Sequence, residues 1–91
     1  MRGSEPAIPS LPDGITFTTA AERFGWNLRL ARHRAGLRQQ DLADRLGIYQ
    51  PGISGWERGL CMPQERSVWR LAKVLEVDPS DLLRGTEGLA S

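Results

Sequence analysis

An all-α fold, a compact bundle of five short helices without a sheet, is predicted by three features of the sequence. Apolar residues recur at helical spacing, glycines close each such run, and capping residues or prolines open several of them. The 91 residues leave room for one small domain, since chains of this size seldom divide into two cores. A composition of 40% hydrophobic and 25% charged residues is ordinary for a soluble globular chain.

The first 18 residues contain Pro6, Pro9 and Pro12 and the Asp13-Gly14 turn signal, and read as a flexible or extended arm. Ile15 to Thr19 alternates like a short strand, but a lone strand is marginal. At best it is an ordered lead-in. Thr19 with Glu22 three residues later forms a capping box, in which each side chain satisfies a backbone donor of the other. Phe24, Leu28, Ala31 and Ala35 then trace one apolar stripe that stops at Gly36, giving a first helix over about 20–35. Trp26 and Leu30 form a second, narrower stripe that the arm is placed to cover. Leu42, Ala43 and Leu46 mark a two-turn helix from Gln39 to Leu46, closed by Gly47.

The third helix, Tyr49 to Arg58, carries Pro51 in its first turn, where the missing N–H costs nothing. Ile53 and Trp56 supply its inward face, and Gly59 ends it. Val68, Leu71, Ala72 and Leu75 give a fourth amphipathic helix after Met62-Pro63. Val68 and Trp69 read as core or as a partner-facing patch, with core the expectation. Asp78-Pro79-Ser80-Asp81 combines a cap, a first-turn proline and a first-turn acid, opening a fifth helix through Leu82-Leu83 that stops at Gly85. The chain therefore divides into an arm at 1–18, a helical domain at 19–85 and a tail at 86–91.

The formal charge of +1 conceals a segregation. Residues 23–38 carry Arg23, Arg29, Arg32, Arg34 and Arg38 without an acid, whereas the residues before and after are each net acidic. The +1 average argues against a strongly basic nucleic-acid binder, yet the basic stretch needs a reason. The single cysteine, Cys61, cannot form an intramolecular disulfide, and with His33 the only histidine there is no set able to hold a structural zinc. His33 reads as an exposed helix residue. No apolar run approaches a membrane span and no signal-peptide core is present, so a cytoplasmic, nucleoid-associated protein is expected. No nucleophile and base arrangement and no Gly-rich phosphate loop appears. The expectation is a non-enzyme without cofactor, metal or membrane.

The second and third helices have the sterics of a helix-turn-helix. Close crossing asks for a small residue inside the first helix, Ala43. It also asks for a turn residue tolerant of positive φ four positions later, Gly47, and for an apolar residue locking the second helix, Ile53. All three stand at the required spacing, with Leu42, Leu46, Ile48 and Trp56 filling the interior.

Over about Phe24 to Leu83 the sequence resembles the Cro and phage-repressor type, or xenobiotic-response-element, helix-turn-helix family. The matching runs are Phe24-Gly25, Leu28-Arg29 with Arg32, Gly36-Leu37, Gln39 to Gly47, Ile53-Ser54, Trp56 to Gly59, Pro63 and Leu71 to Leu75, leading into Asp78 and Leu82-Leu83. The resemblance implies a lambda-repressor-like five-helix bundle whose third helix enters the major groove of double-stranded DNA. It also implies a homodimer on an inverted-repeat operator, most simply a repressor or Cro-like switch.

Carried onto this sequence, the family pattern places Gln39 on a phosphate, aided by the free N–H groups of a helix start. Its alternative is a solvated amide. Arg38 replaces the common Ser or Thr cap, giving up part of about 1 kcal/mol while adding a cation. Gln50, Pro51, Ser54 and Gly55 take the base-facing positions, where Gln50 can pair bidentately with adenine. The others offer little side-chain chemistry. Either the backbone approaches closely, with small surfaces against thymine methyls, or specificity comes from DNA shape. Tyr49 is placed to reach phosphate or to pack on the surface. Arg58 and Arg29 are assigned to phosphate, while Arg32 and Glu57 resemble the family's structural pair between the first and third helices. A dimer is expected to use the fifth helix around Leu82-Leu83, or the arm. The competing reading is an antitoxin-like or other protein-interaction module, gripping a protein partner with Trp26, Leu30 and the arm.

Overall fold

The computed structural model describes residues 16–90. Its helices are α1 (Ala20–Arg34), α2 (Gln39–Leu46), α3 (Gln50–Glu57), α4 (Glu65–Leu75) and α5 (Pro79–Leu83). There is no named strand among the described residues. Ile15 lies outside them, and the alternating lead-in contributes an isolated parallel bridge from Thr19 to Ala90. Through it the chain after α5 returns to the start of α1, where the Ala20 N–H donates to the Ala90 carbonyl at 2.6 Å.

Local chemistry sets the helix starts. At α1 the Glu22 N–H donates to Thr19 Oγ1 at 3.1 Å, and Glu22 Oε1 accepts from the N–H groups of Thr18 and Thr19. At α5 the Ser80 N–H donates to Asp78 Oδ1, which holds the Asp78 carboxyl below its ordinary value. Arg38 has no acceptor to offer α2, so its side chain caps nothing. Asp41 reaches back to accept from the Arg38 N–H at 2.9 Å, so only the returning half of a capping box is present.

Phe24 and Leu28 of α1, Leu42, Ala43 and Leu46 of α2, and Ile53 of α3 meet Val68, Leu71, Ala72 and Leu75 of α4 and Leu82 of α5 in one core. Each fully buried large apolar side chain contributes about 1.5–3 kcal/mol. Two expectations change here. Trp69 is not core but 60% exposed on α4, because the docked face of that helix is filled by Val68, Leu71, Ala72 and Leu75. Leu82 is fully buried in the chain's own core, so of the Leu82-Leu83 pair expected at a dimer contact only the half-buried Leu83 reaches the surface.

Polar side chains lock the termini of the bundle. Asn27, 7% exposed on the core-facing side of α1, donates through Nδ2 to the carbonyls of Leu82 and Arg84 and so fastens the end of α5. Arg70 on α4 donates to the Leu46 carbonyl at the end of α2. Neither role was expected from the sequence, although Asn27 falls three residues from Phe24 on the same helical stripe.

Candidate nucleic-acid interface

The angle between α2 and α3 is fixed by three residues at the expected spacing. Ala43 is fully buried at the crossing. Gly47 takes φ 72° and ψ 33°, the left-handed conformation that glycine enters without steric cost, and the Ile48 N–H returns to the Ala43 carbonyl at 3.0 Å. Ile53 is fully buried and locks α3 onto the core. At about 100° per residue, Pro51, Gly55 and Arg58 then fall on the side of α3 turned away from Ile53, with Ser54 on its flank. Pro51, Gly52 and Arg58 are exposed, Ser54 and Gly55 are half-buried, and Tyr49 is 88% exposed at the N-cap.

Gln50 and Glu57, seven residues apart, share another side of α3, and there they enter a polar chain that crosses three helices. Arg32 of α1 grips Glu57 twice, with Nε to Oε2 at 2.5 Å and Nη2 to Oε1 at 3.0 Å, and its Nη1 donates to the Leu37 carbonyl. The side chains are 11% and 3% exposed. Glu57 Oε1 also accepts from Gln39 Nε2 at 2.9 Å, and Gln39 Oε1 accepts from Gln50 Nε2 at 2.6 Å. Gln39, expected as a phosphate contact or a solvated amide, thus bridges the buried acid to Gln50. The resemblance supplied the Arg32–Glu57 pair, but nothing in the spacing indicated its extension through Gln39 to Gln50.

The arginines of the basic stretch have different surroundings. Arg32 is spent in the ion pair. Arg23 donates to the Arg84 carbonyl and lies 5.4 Å over the Phe17 ring. Arg38 is exposed but paired with Asp41 at 2.8 Å, and the guanidinium hydrogen bond pulls the Asp41 carboxyl down to about 2 and raises Arg38. At neutral pH any phosphate at Arg38 competes with that carboxylate. Arg29 makes no such bond among the described residues. It lines a groove of about 330 Å³ together with Arg58, Trp26 and Phe17. Arg29 of α1 and Arg58 at the C-cap of α3 thus line one groove, which the acids Glu22 and Glu57 line as well. Trp26 is half-buried and packs against Phe17 with ring centroids 6.3 Å apart, so the chain's own lead-in covers part of the face assigned to a protein partner.

A family model described as a helix-turn-helix domain matches residues 23–84. The chain belongs to the helix-turn-helix domain family. Its relatives include the uncharacterized HTH-type transcriptional regulator YqaE of Bacillus subtilis (strain 168), 34% identical over 62 residues, or 68% of this chain and 53% of that protein. HTH-type transcriptional regulator DicA of Escherichia coli (strain K12) is 33% identical over 69 residues, 76% of this chain and 48% of that one. The chain thus spans about half the length of these curated relatives. Among solved structures, the restriction-modification controller protein C.AhdI from Aeromonas hydrophila superposes with a TM-score of 0.65 at 32% identity, covering 68% of this chain and 94% of that one. The hypothetical transcription factor NHTF from Neisseria gives a TM-score of 0.70 at 25% identity, covering 81% and 86%. The all-helical fold of this helix-turn-helix domain agrees with both. Among the described residues, no helix is long and apolar enough to cross a membrane.

Proposed function

We propose that this helix-turn-helix chain is a sequence-specific transcriptional regulator, a repressor or Cro-like switch, that acts as a dimer on an inverted repeat with α3 in the major groove of double-stranded DNA. The observation that carries this reading is the anchored Gln50. Its Nε2 is held by Gln39, and Gln39 by a buried ion pair, while its Oε1 and second N–H have no partner among the described residues. A carbonyl and an N–H presented side by side match the N6 donor and N7 acceptor of adenine. Gln39, Tyr49, Arg29 and Arg58 supply the phosphate contacts, with Arg38 a weaker one because of Asp41. The names of the relatives support the regulatory role.

Selection of bound duplexes from a random pool tests the reading. A palindromic consensus with an adenine that loses its preference in Gln50→Ala is expected, and recovery of nothing above background sinks it. With about three phosphates neutralised per subunit, log affinity should fall with log salt at a slope of roughly −5 for the dimer. A salt-independent affinity contradicts the phosphate assignments.

Gly52 provides a separate check on close approach. A Cβ built there meets nothing closer than Ile48 Cδ1 at 3.7 Å, and one at Gly55 nothing closer than Leu60 Cδ1 at 3.8 Å. Both are ordinary contacts, so the free fold does not require either glycine. Gly52→Ala should therefore raise stability in urea by up to about 1 kcal/mol and weaken operator binding at least about tenfold, the equivalent of roughly 1.4 kcal/mol. Unchanged affinity in the stabilised variant shows that the backbone does not need to come close.

A further inference from the structure

We propose that Leu60, in the loop after α3, is a specificity-determining residue that reads the 5-methyl group of a thymine in the major groove. The inference deepens the DNA-binding reading and rests on it, with α3 as the helix turned to the bases. An exposed leucine is ordinary by itself. This one is held in a fixed place and left largely uncovered by its own chain.

The end of α3 explains how. Gly59 takes φ 76°, the Gly59 N–H donates to the Trp56 carbonyl at 3.1 Å, and the Leu60 N–H donates to the Gly55 carbonyl at 3.0 Å. These are the two backbone bonds of a Schellman turn. The residue after the left-handed glycine of such a turn commonly packs an apolar side chain on the residue five or six positions earlier. Here those residues are Gly55 and Ser54, and neither offers an apolar side chain. Leu60 is therefore 66% exposed, with its Cδ1 3.8 Å from the point that a Cβ on Gly55 would occupy. Its methyl groups lie beside the bare backbone of the outer side of α3, which carries the exposed Pro51 one turn earlier.

Pro51, Gly52 and Gly55 have no side-chain donor or acceptor with which to read a base edge. The apolar group that a base pair displays in the major groove is the thymine 5-methyl, and apolar side chains recognise it by contact. Gly55 lets the base edge come close to the helix, and Leu60 supplies the surface against which the methyl group is buried.

Replacing the thymines of a selected duplex one at a time by deoxyuridine, which lacks only the 5-methyl group, tests this with the full chain. The wild type should lose about fourfold in affinity at one thymine of the site, the equivalent of burying one methyl group, and little at the others. Leu60→Ala should lose a similar factor on the unmodified duplex, and the same deoxyuridine should then change its affinity by less than about twofold. Its salt slope should match that of the wild type, because no phosphate contact is removed. Circular dichroism verifies that the variant is folded, and the wild-type scan needs no variant. A wild type indifferent to every deoxyuridine, or a folded Leu60→Ala that keeps its full sensitivity to the methyl group, overturns the proposal. Either result leaves the DNA-binding reading standing, whereas failure to select any duplex removes both.

Discussion

Glu57→Ala is expected to destabilise the fold by about 3–5 kcal/mol, the usual cost of leaving one member of a buried ion pair without its partner. The Arg32 side chain is 11% exposed and directs two of its nitrogens at Glu57, so truncation strands a charge with little access to water. Against a typical total of about 5–15 kcal/mol, this removes a large fraction of the stability, visible as a lower urea midpoint. The same change releases Gln39 Nε2 and thereby the anchor of Gln50. Stability and recognition can be separated with Arg32→Met plus Glu57→Leu. Replacing both charges with apolar groups of similar volume is often neutral or stabilising, so much of the stability should return while operator affinity does not. If the single and double changes prove additive, the pair contributes no coupling and the buried-pair argument fails. Arg38→Ala is the contrast. Its pair with Asp41 is solvent-exposed, and such pairs contribute little.

Gly25→Ala should be the second damaging change. A Cβ at position 25 meets the Trp56 carbonyl oxygen at 2.5 Å and the Glu57 carbonyl oxygen at 2.6 Å. Both are backbone atoms at the end of α3, which cannot rotate aside as a side-chain tip does. Relief requires α1 and α3 to separate, at an overpacking cost of about 1–3 kcal/mol. That separation also shifts Glu57 relative to Arg32 and tilts the outer face of α3. Operator affinity should consequently fall by more than the fraction unfolded explains, measured by titrating DNA well below the melting temperature. A variant with wild-type stability and affinity would show that the α1–α3 approach is loose.

These two positions illustrate which parts of the molecule are legible in one dimension. The helices and the turn between α2 and α3 depend on neighbours in sequence. The Thr19–Glu22 box, the first-turn prolines, the left-handed Gly47 and the apolar repeat through Leu42, Ala43 and Leu46 act within a few residues of themselves. The outer face of α3 follows once Ile53 is placed inside, because helical periodicity then puts Pro51, Gly55 and Arg58 on the opposite side and Ser54 on its flank.

Contacts made over long sequence distances were not available in the same way. Spacing alone does not give the 2.5 Å approach that requires Gly25 to lack a side chain, since it needs the path of α3 across α1. In sequence the basic stretch is a run of cations without an acid, but packing buries Arg32, lays Arg23 over Phe17 and sets Arg29 in a groove lined also by Arg58, Glu22 and Glu57. Trp69 sits next to Val68 and only two residues before Leu71, and its hydrophobicity favoured the core. Its actual position was decided by which side of α4 docked onto the bundle. Local sequence determined the helices, their caps and the motif, because those interactions close within a turn or two. The tertiary structure alone decided which polar and aromatic side chains are consumed inside and which are offered to a partner, because that depends on elements far apart in the chain competing for the same buried space.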